Sequence, residues 1–499
     1  MRTLVGDLLL IRLQEETATL LHKRLYHAIR RSILDGSLPP LSRLPATRDL
    51  ASELAISRNT ILSCYGQLQA EGYVSSRSGS GTFVAQTLPG MLLAASRPGE
   101  PQSTAVNTRL SLRGQHLVSH ISASPQQWGA FIPGVPDVNA FPHQLFSKIQ
   151  ARLHRRPKPE QLSYNCKGGA TELQHALVDY LRVSRGVDCQ AEEILITEGI
   201  HQAIDLITRM LCDSGDLAWV EEPSYWGIRH ILAMNEVRIH PVSVDAHGLC
   251  PPDIIDETPR LIFVTPSHQY PLGVVMSLER RQRLLALARQ KGSWIVEDDY
   301  DSEFRFSGQP IPALQGLIAE APVIYIGTFS KTLYPGLRIG YVVLPRSLTD
   351  ILKEAHNELY RSGHTLTQMA LAEFITEGHY SAHIRRMRLL YSRRRTYLTE
   401  LVTRHCIPQV LSDFSDKAGL HLILNLPQEA DDVAIADKAN AQQILVRPLS
   451  KYYLNTQSKK GLLVGFASLP EAQMTPAFHV LLSCLQALCP QVLLQAAKR

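Results

Sequence analysis

The residue with the clearest chemical potential is Lys331, in the stretch PVIYIGTFSKTLYPGLRIGYVVLP that spans residues 322–345. The β-branched run at 323–326 predicts a buried strand, so Lys331 comes just past a strand end, where open α/β sheets bind ligands. An amine held there can form a Schiff base with a carbonyl compound. Residues that suit a phosphate group lie close to it in sequence: Thr328, Ser330 and Arg338.

Further short apolar runs precede Lys331 and alternate with helical patterns such as 202–211 and 278–290. The predicted strands are residues 194–197, 217–220, 237–244, 261–264, 294–297 and 323–326. This alternation predicts an α/β fold with a mostly parallel sheet covered by helices. Binding residues are therefore expected at the carboxyl ends of the strands, which meet at one edge of such a sheet.

The phrases that follow these strands carry complementary chemistry. A glycine turn at Gly199 opens a helix whose first N–H groups attract phosphate. Tyr225 offers a ring that can stack on a flat cofactor. In the phrase EDDY at 297–300, a carboxylate can pair with a protonated pyridine nitrogen and a phenol can hydrogen-bond a ring oxygen. Each phrase alone is common, but together in this order they predict one cofactor site.

The segment from the phrase FIPG at 131–134 to the C-terminus resembles the fold-type I aminotransferases, which carry pyridoxal 5'-phosphate (PLP) on a lysine. The resemblance implies that Lys331 forms the internal aldimine, that Asp298 faces the pyridine nitrogen and that Tyr300 faces the ring hydroxyl. It implies that Tyr225 stacks on the ring and that Tyr164 reaches the phosphate of the other subunit. The phosphate grip would be Gly199, Ile200, His201, Thr328, Ser330 and Arg338.

Two positions depart from the aminotransferase pattern. Tyr270 stands where these enzymes usually have an asparagine that bonds the ring oxygen, and it is kept as a cofactor-binding candidate. Leu463 stands where an arginine would clamp the substrate carboxylate in two parallel hydrogen bonds. Arg447 is a candidate replacement that would bind an effector, although an ordinary loop arginine explains it equally well.

Residues 10–86 predict a separate domain. Helical patterns at 20–34, 46–55 and 58–71, with Thr47 and Ser57 as candidate caps, precede an alternating segment at 72–84 that is typical of a hairpin. This order is that of a winged helix-turn-helix, in which the start of the last helix reaches base edges. A small helical protein-interaction domain is the alternative.

The phrase RLPATRDLA at 43–51 and the order of elements look like GntR-type DNA-binding domains. The resemblance implies that Arg48, Arg58, Asn59, Thr60, Ser78 and Gly79 contact DNA. Arg77, at the polar tip of the hairpin, and Arg43, in the quoted phrase, are further DNA-contact candidates. Residues 1–90 carry ten Lys and Arg against seven Asp and Glu, a net charge of +3 that a solvated face would explain almost as well.

Residues 87–125, rich in Pro, Gly, Ser and Thr, predict an extended or partly disordered linker between the head and a large domain at 126–499 that includes a small C-terminal subdomain. The fusion of a GntR-type head to an aminotransferase-like body resembles the MocR (GabR-like) subfamily of bacterial regulators. That resemblance implies a head-to-tail homodimer that binds a double-stranded DNA operator.

Composition is that of an ordinary globular protein, with 499 residues, 44% hydrophobic and 19% charged, and a net charge of +5. The eight cysteines form no C-x-x-C pair, which favours reduced thiols in the cytoplasm over disulfides or a metal site. The apolar patch at 8–11 is too short to span a membrane.

Two functions remain open from the sequence. The first is a transcriptional regulator whose PLP site senses an amino-acid-like amine, or in which PLP itself is the effector. The second is a working aminotransferase that also binds DNA. The head and the absence of an arginine at position 463 favour the first.

Overall fold

The computed structural model describes residues 3–15, 20–77, 80–86, 110–121, 126–164, 168–252, 254, 256–306, 308, 311–411, 418–455 and 458–494. The chain divides into two compact units, Met1–Arg109 and Leu110–Arg499. The predicted wing residues Ser78 and Gly79 lie outside the described residues. Within the described ranges, no helix is long and apolar enough to cross a bilayer.

The N-terminal unit is a winged helix-turn-helix, as predicted. Its elements are α1 (Leu4–Glu15), α2 (Leu21–Leu34), α3 (Thr47–Leu54), α4 (Arg58–Ala70), β1 (Val74–Arg77) and β2 (Gly81–Val84). The strands pair antiparallel, with Val74 opposite Val84. One apolar core joins the helices to the wing and includes Leu25, Ile29, Leu50, Ile61, Leu68 and Val84.

The start of α4 is capped as predicted, because the Ser57 hydroxyl accepts a hydrogen bond from the Asn59 N–H at 3.2 Å. Thr47 is not a cap. Ala46 occupies the capping position of α3 without a side-chain hydrogen bond, and Thr47 is the first helical residue. Helix α3 instead depends on tertiary packing, since Leu50 and Leu54 are buried.

Part of the predicted linker is helical rather than extended. Helix α5 (Leu112–Ser119) begins where the Ser111 hydroxyl accepts from the Gly114 N–H at 3.1 Å. Its Arg113 lies 3.5 Å from the Glu236 carboxylate of the larger unit. A side-chain cap and this anchoring contact stabilise a helix that buries none of its own residues, which apolar periodicity could not reveal.

An eight-stranded sheet forms the centre of the larger unit. Its strands are β3 (Ile194–Thr197), β4 (Leu217–Glu222), β5 (Arg238–Asp245), β6 (Gly248–Leu249), β7 (Leu261–Val264), β8 (Trp294–Asp299), β9 (Val323–Thr328) and β10 (Gly340–Val343). The spatial order is β3-β10-β9-β8-β7-β4-β5-β6. Strands β5, β4, β7, β8 and β9 run parallel, whereas β10 is antiparallel to both of its neighbours. Each predicted strand is confirmed to within two residues at either end.

Helices cover both faces of this sheet, as predicted. They are α6 (His143–Arg155), α7 (Thr171–Arg185), α8 (Ile200–Leu211), α9 (Trp226–Met234), α10 (Leu278–Lys291), α11 (Thr349–Leu359), α12 (Thr365–Thr376) and α13 (His379–His405). One core cluster includes Ile204, Leu232 and Leu352 from α8, α9 and α11. A separate cluster includes Leu284, Leu285 and Ala288 from α10. The strands are therefore buried on both sides and read as continuous apolar runs.

The predicted C-terminal subdomain is a three-stranded antiparallel sheet with two helices. Its strands are β11 (His421–Asn425), β12 (Arg447–Pro448) and β13 (Gly461–Gly465), in the order β11-β13-β12, and its helices are α14 (Asp432–Asn440) and α15 (Glu471–Leu488). Its core is continuous with that of α7, α12 and α13, so the C-terminal subdomain and these helices share one apolar cluster.

Candidate functional site

The sheet topology itself gathers the predicted cofactor residues at one edge. Because β10 runs antiparallel, Gly340 at its start lies opposite both Thr197 at the end of β3 and Thr328 at the end of β9. Arg338, two residues before β10, therefore meets the turn after β3 and the turn that carries Lys331. Residues 140 positions apart in sequence are brought into contact, since Arg338 Nη2 donates to the Glu198 carbonyl at 2.6 Å.

A cavity of about 220 Å³ opens at this edge, and each described residue that lines it is one of the sequence candidates. They are Ile200, His201, Tyr225, Tyr270, Asp298, Tyr300, Thr328, Ser330, Lys331 and Arg338. Gly199 directly precedes Ile200, and its φ of 103° is open to glycine, while a Cβ there would lie 3.2 Å from Arg338 Nη2. Tyr164 and Arg447 do not line the cavity.

Lys331 is half-buried in the wall of the cavity, and its amine makes one hydrogen bond. Its Nζ donates to the Gly134 carbonyl at 2.8 Å, and a side chain at Gly134 would crowd that amine at 3.1 Å. Burial lowers the pKa of Lys331, whereas the carboxylates of Asp301 and Asp298 act in the opposite direction. A lysine with a lowered pKa has more of its amine free to attack a carbonyl carbon.

Asp298 offers an unsatisfied acceptor. Its Oδ1 is buried and has no hydrogen-bond partner among the described residues. Burial raises the pKa of Asp298 to about 7, helped by the charges of Asp299 and Asp301 and opposed by Lys331. A cationic N–H in the cavity would satisfy this oxygen and favour the carboxylate. The pyridine nitrogen of PLP supplies such a group, so the residues present fit this cofactor.

Tyr300 is positioned by His268 and Asp301, two residues that were not predicted from the sequence. The His268 Nδ1 lies 2.8 Å from the Tyr300 hydroxyl and 3.1 Å from both Asp301 carboxylate oxygens. A proton on Nδ1 can be shared between the carboxylate and the phenol oxygen, which leaves the phenol proton directed elsewhere. Burial and Asp301 raise the pKa of Tyr300 well above its usual value, so it remains a donor.

The opposite wall combines an aromatic ring with cationic and N–H groups. The Tyr225 hydroxyl lies 2.8 Å from His201 Nε2, which fixes both rings. Burial of the ring lowers the pKa of His201, and the nearby Arg338 charge adds to this, which favours the neutral imidazole. Arg338 and the first N–H groups of α8 are then the positive groups that face an anion here.

The two departures from the enzyme pattern lie side by side. Leu463 is fully buried on β13, where it pairs with Arg447 on β12 and packs with Ile423, Leu449 and Tyr452. The Tyr270 hydroxyl lies 3.2 Å from that of Tyr452. Apolar and aromatic groups therefore surround position 463, and the neighbouring Arg447 Nη2 donates to the Gln126 carbonyl at 3.1 Å.

Tyr164 is 68% exposed in this chain, and its ring lies 4.9 Å from the Arg361 guanidinium. In the head, the side chains of Arg43, Arg48, Arg58, Asn59 and Arg77 are exposed, and Thr60 is half-buried. None of those four arginines forms an ion pair within the part of the chain that the structure describes. Arg58 and Asn59 begin α4, and Arg77 lies over the Phe83 ring of the wing.

Some residues close to the cavity were not among those predicted from the sequence. His268 lies two residues before Tyr270, Gly134 ends the phrase FIPG and Asp301 directly follows the phrase EDDY, so each lies beside a feature that the sequence predicted. Tyr452 follows β12 in a short turn with no sequence signal of its own. Glu221 is buried at the end of β4, where it accepts from the Thr265 hydroxyl at 2.6 Å, and burial raises its pKa to about 7.

Comparison with known proteins supports both halves of this description. The family "Aminotransferase class I and II" matches residues 138–481, and the family "Bacterial regulatory proteins, gntR family" matches residues 21–84. The chain is 38% identical to a probable rhizopine catabolism regulatory protein, MocR, of Rhizobium meliloti over 94% of each chain. It is 29% identical to the pyridoxine biosynthesis transcriptional regulator PdxR of Corynebacterium glutamicum, over 92% of this chain and 94% of that one.

Among solved structures, the larger unit is similar to LysN, an α-aminoadipate aminotransferase of Thermus thermophilus complexed with N-(5'-phosphopyridoxyl)-L-leucine. The TM-score is 0.65 and the identity 26%, over 77% of this chain and 96% of that one. The predicted fold and the prediction of PLP as cofactor are confirmed at the level of the family. The chain belongs to the aminotransferase class I and II family and, with its GntR-family head, to the MocR-like group of PLP-dependent transcriptional regulators.

Proposed function

We propose that the body is a receptor in which PLP attached to Lys331 reads a small molecule, and that the bound state sets the DNA affinity of the head. The observation that supports this most directly is the 220 Å³ cavity. It combines a half-buried amine with a lowered pKa, an unsatisfied carboxylate and a helix start suited to phosphate, in a chain that also carries a DNA-binding domain. PLP supplies an electrophilic carbonyl to which an amine can bind covalently and reversibly.

Each residue has a distinct part in holding the cofactor. Asp298 binds the pyridine nitrogen, Tyr300 donates to the ring hydroxyl and Tyr225 stacks on the ring. The phosphate lies against Gly199, Ile200 and His201 at the start of α8, with Thr328, Ser330 and Arg338 completing the grip. Lys331 would hold the cofactor through its carbonyl carbon, and the lowered pKa of Lys331 favours the free amine that can bind a carbonyl compound.

The effector is either an amino-acid-like amine or PLP itself. PLP would supply a carbonyl carbon that an amine effector can bind, and Lys331, whose Nζ donates to the Gly134 carbonyl, lies at that wall of the cavity. If PLP is the effector, no arginine is needed to bind an effector carboxylate. The buried leucine at position 463 agrees with this. Arg447 remains a candidate partner for an effector carboxylate, because its charge lies near enough to lower the pKa values of Tyr270 and Tyr452 against the effect of burial.

A working aminotransferase with an added head is the second candidate. The retained lysine, carboxylate and phosphate grip favour it, because these residues are sufficient to hold the cofactor. The apolar packing of Leu463 argues against efficient turnover, since a substrate without a bidentate partner is poorly oriented for proton transfer.

DNA binding is assigned to the head. Arg58, Asn59 and Thr60 at the start of α4 would read base edges, with Arg43, Arg48 and the wing residues Arg77, Ser78 and Gly79 on the backbone or in the minor groove. A head-to-tail homodimer would present two heads to spaced half-sites. It would also let Tyr164 reach the phosphate in the partner's cavity, which agrees with its 68% exposure here.

The test measures operator affinity in three states of the full chain: without PLP, with PLP, and with PLP plus a panel of amino acids. The DNA is the region upstream of the protein's own gene. A change on PLP addition alone identifies the cofactor as effector, whereas a change only on amine addition identifies the amine. Keto acid produced at enzyme-like rates, with the same DNA affinity in all three states, would contradict the receptor function and favour the enzyme.

A further inference from the structure

A second and larger cavity, of about 680 Å³, opens elsewhere on the body. Its walls come from α7, the segment that follows β8, the end of α12 and the first turns of α13. It shares no described lining residue with the cavity around Lys331. Its volume lies in the range of small-molecule sites, and nothing in the proposed receptor function uses it.

Three guanidinium groups line this cavity without an ion pair among the described residues: Arg305, Arg385 and Arg388. The Arg305 Nε is buried and has no hydrogen-bond partner among the residues that the structure describes. Burial lowers the pKa of Arg305, and the neighbouring Arg185 charge adds to this. Arg388 uses its Nε to donate to the Glu303 carbonyl, so its two terminal nitrogens remain available. An unsatisfied buried N–H and two available forks favour an anion.

The carboxyl groups of the cavity do not cancel this charge. Glu303 accepts from the Tyr180 hydroxyl at 2.9 Å, and burial, with the Asp299 charge, raises its pKa. The raised pKa favours the neutral form of this carboxyl group. Arg185 is already paired with Asp299 at 2.6 Å, so neither contributes net charge. Asp179 is the remaining acid among the described lining residues, and these residues together carry a net positive charge.

The arrangement also has direction. Ser381, Arg385 and Arg388 occur at positions i, i+4 and i+7 of α13 and therefore lie on one face of that helix. Arg305 follows β8 and approaches from another wall. A planar carboxylate is satisfied by one guanidinium fork, whereas a phosphate group has oxygens for several. The cavity is too large for a bare phosphate, so there is room for the group that carries it.

We propose that this cavity is a second ligand site that binds a phosphate ester through Arg305, Arg385 and Arg388. The ester comes either from a free phosphorylated metabolite or from the backbone of bound DNA, because both present the same tetrahedral anion. In each case the site is separate from the cavity around Lys331, with which it shares no described lining residue.

The test uses full-length protein in which PLP has been fixed to Lys331 by borohydride, so that the phosphate grip of the first cavity is filled. Phenyl phosphate and inorganic phosphate are titrated by calorimetry. We expect one phenyl phosphate per chain, with affinity about tenfold weaker in Arg385→Ala and in Arg388→Ala. Arg385→Lys keeps the charge without the fork and should recover part of the affinity.

Arg404→Ala is the matched control, because Arg404 lies on the same helix outside this cavity. Arg58→Ala controls for anion binding by the head. Circular dichroism and cofactor absorbance establish that each variant is folded.

The same variants identify the source of the phosphate. If DNA supplies it, Arg385→Ala weakens operator binding, lowers the slope of log affinity against log salt by about 1, and phenyl phosphate competes with DNA. If a metabolite supplies it, operator affinity without phenyl phosphate is the same in Arg385→Ala and Arg404→Ala, although the calorimetric loss remains. Equal behaviour of Arg385→Ala, Arg388→Ala and Arg404→Ala in both measurements would overturn the proposal.

Discussion

Replacing Asp298 by asparagine should act in opposite directions on the apoprotein and on cofactor binding. In the folded apoprotein burial raises the pKa of Asp298 from 3.8 to about 7. A raised pKa means that the wild type loses stability as the pH rises from about 4 to about 7, because the unfolded chain ionises first. Each pKa unit corresponds to about 1.4 kcal/mol, so the loss reaches up to about 4 kcal/mol above pH 7.

Asp298→Asn removes this ionisation without changing the shape of the side chain. Above pH 7 the apoprotein should therefore be more stable than the wild type by up to about 4 kcal/mol, and below pH 4 the two should be equal. PLP affinity should fall by about 10- to 100-fold, because a charge-assisted hydrogen bond to the pyridine nitrogen is worth about 1.5–3 kcal/mol. Chemical denaturation at pH 4, 6 and 8 and PLP titration by absorbance measure the two effects.

Asp299→Asn is the control one residue away. Asp299 is paired with the buried Arg185 at 2.6 Å, so its loss leaves a charge without its partner and should destabilise the apoprotein by about 3–5 kcal/mol at pH 8. The two neighbouring substitutions are thus expected to have opposite signs. A destabilised Asp298→Asn apoprotein at pH 8, or unchanged PLP affinity, would refute the assignment of Asp298 as an acceptor held ready for a cation.

Four further substitutions test single residues. Lys331→Ala should abolish the borohydride-trappable adduct and leave the far-UV circular dichroism unchanged. Arg58→Ala should weaken operator binding by about 1–3 kcal/mol with unchanged cofactor absorbance, as followed by fluorescence anisotropy. Ser57→Ala should lower the stability of the head by about 1 kcal/mol in denaturant titrations, since it removes the cap of α4. His268→Gln should raise the pH midpoint of cofactor absorbance by about one unit, because Tyr300 loses the contact that orients it towards the ring oxygen.

The sheet could be predicted from the sequence because both of its faces are buried. The strands around Ile196, Phe263 and Ile324 appear as short apolar runs, and each is followed by polar residues at the same edge. Their order in space could not be predicted. That order depends on β10 turning back between β3 and β9, and pairing between distant strands leaves no local pattern.

Helix α5 and the start of α3 show that local composition and residue type can also give a wrong prediction. The Pro- and Gly-rich composition around residues 87–125 masked a short helix that is stabilised by Ser111 and by the contact of Arg113 with Glu236. Thr47 has the right type for a cap, but the chain places Ala46 in that position. Side-chain type predicts what a residue can do, and only the tertiary contacts decide which residue does it.

The contacts of Tyr300 could not be predicted from spacing either. His268 and Tyr300 are 32 positions apart, and they meet because β7 and β8 are parallel neighbours whose carboxyl ends share an edge. His268 lies near Tyr270 and Asp301 follows the phrase EDDY, so the sequence indicates that both are close to the site. That they contact each other depends on the register of β7 and β8, which the sequence does not show. Local sequence patterns therefore predicted the residues that line the cavity, whereas the contacts behind them depend on the topology of the sheet.

The residues that separate this body from an enzyme affect orientation more than binding. Orientation of a substrate can contribute about 7–11 kcal/mol to a catalysed step, and the bidentate arginine is one of the groups that provide it. A receptor needs only a difference in ligand affinity between two states, typically about 1–3 kcal/mol. Leu463, packed against Ile423 and Tyr452, removes an orienting group while Lys331, Asp298 and the phosphate grip remain. If the proposed receptor function is correct, such a site keeps the residues that would hold PLP and an amine and lacks one group that orients a substrate for turnover.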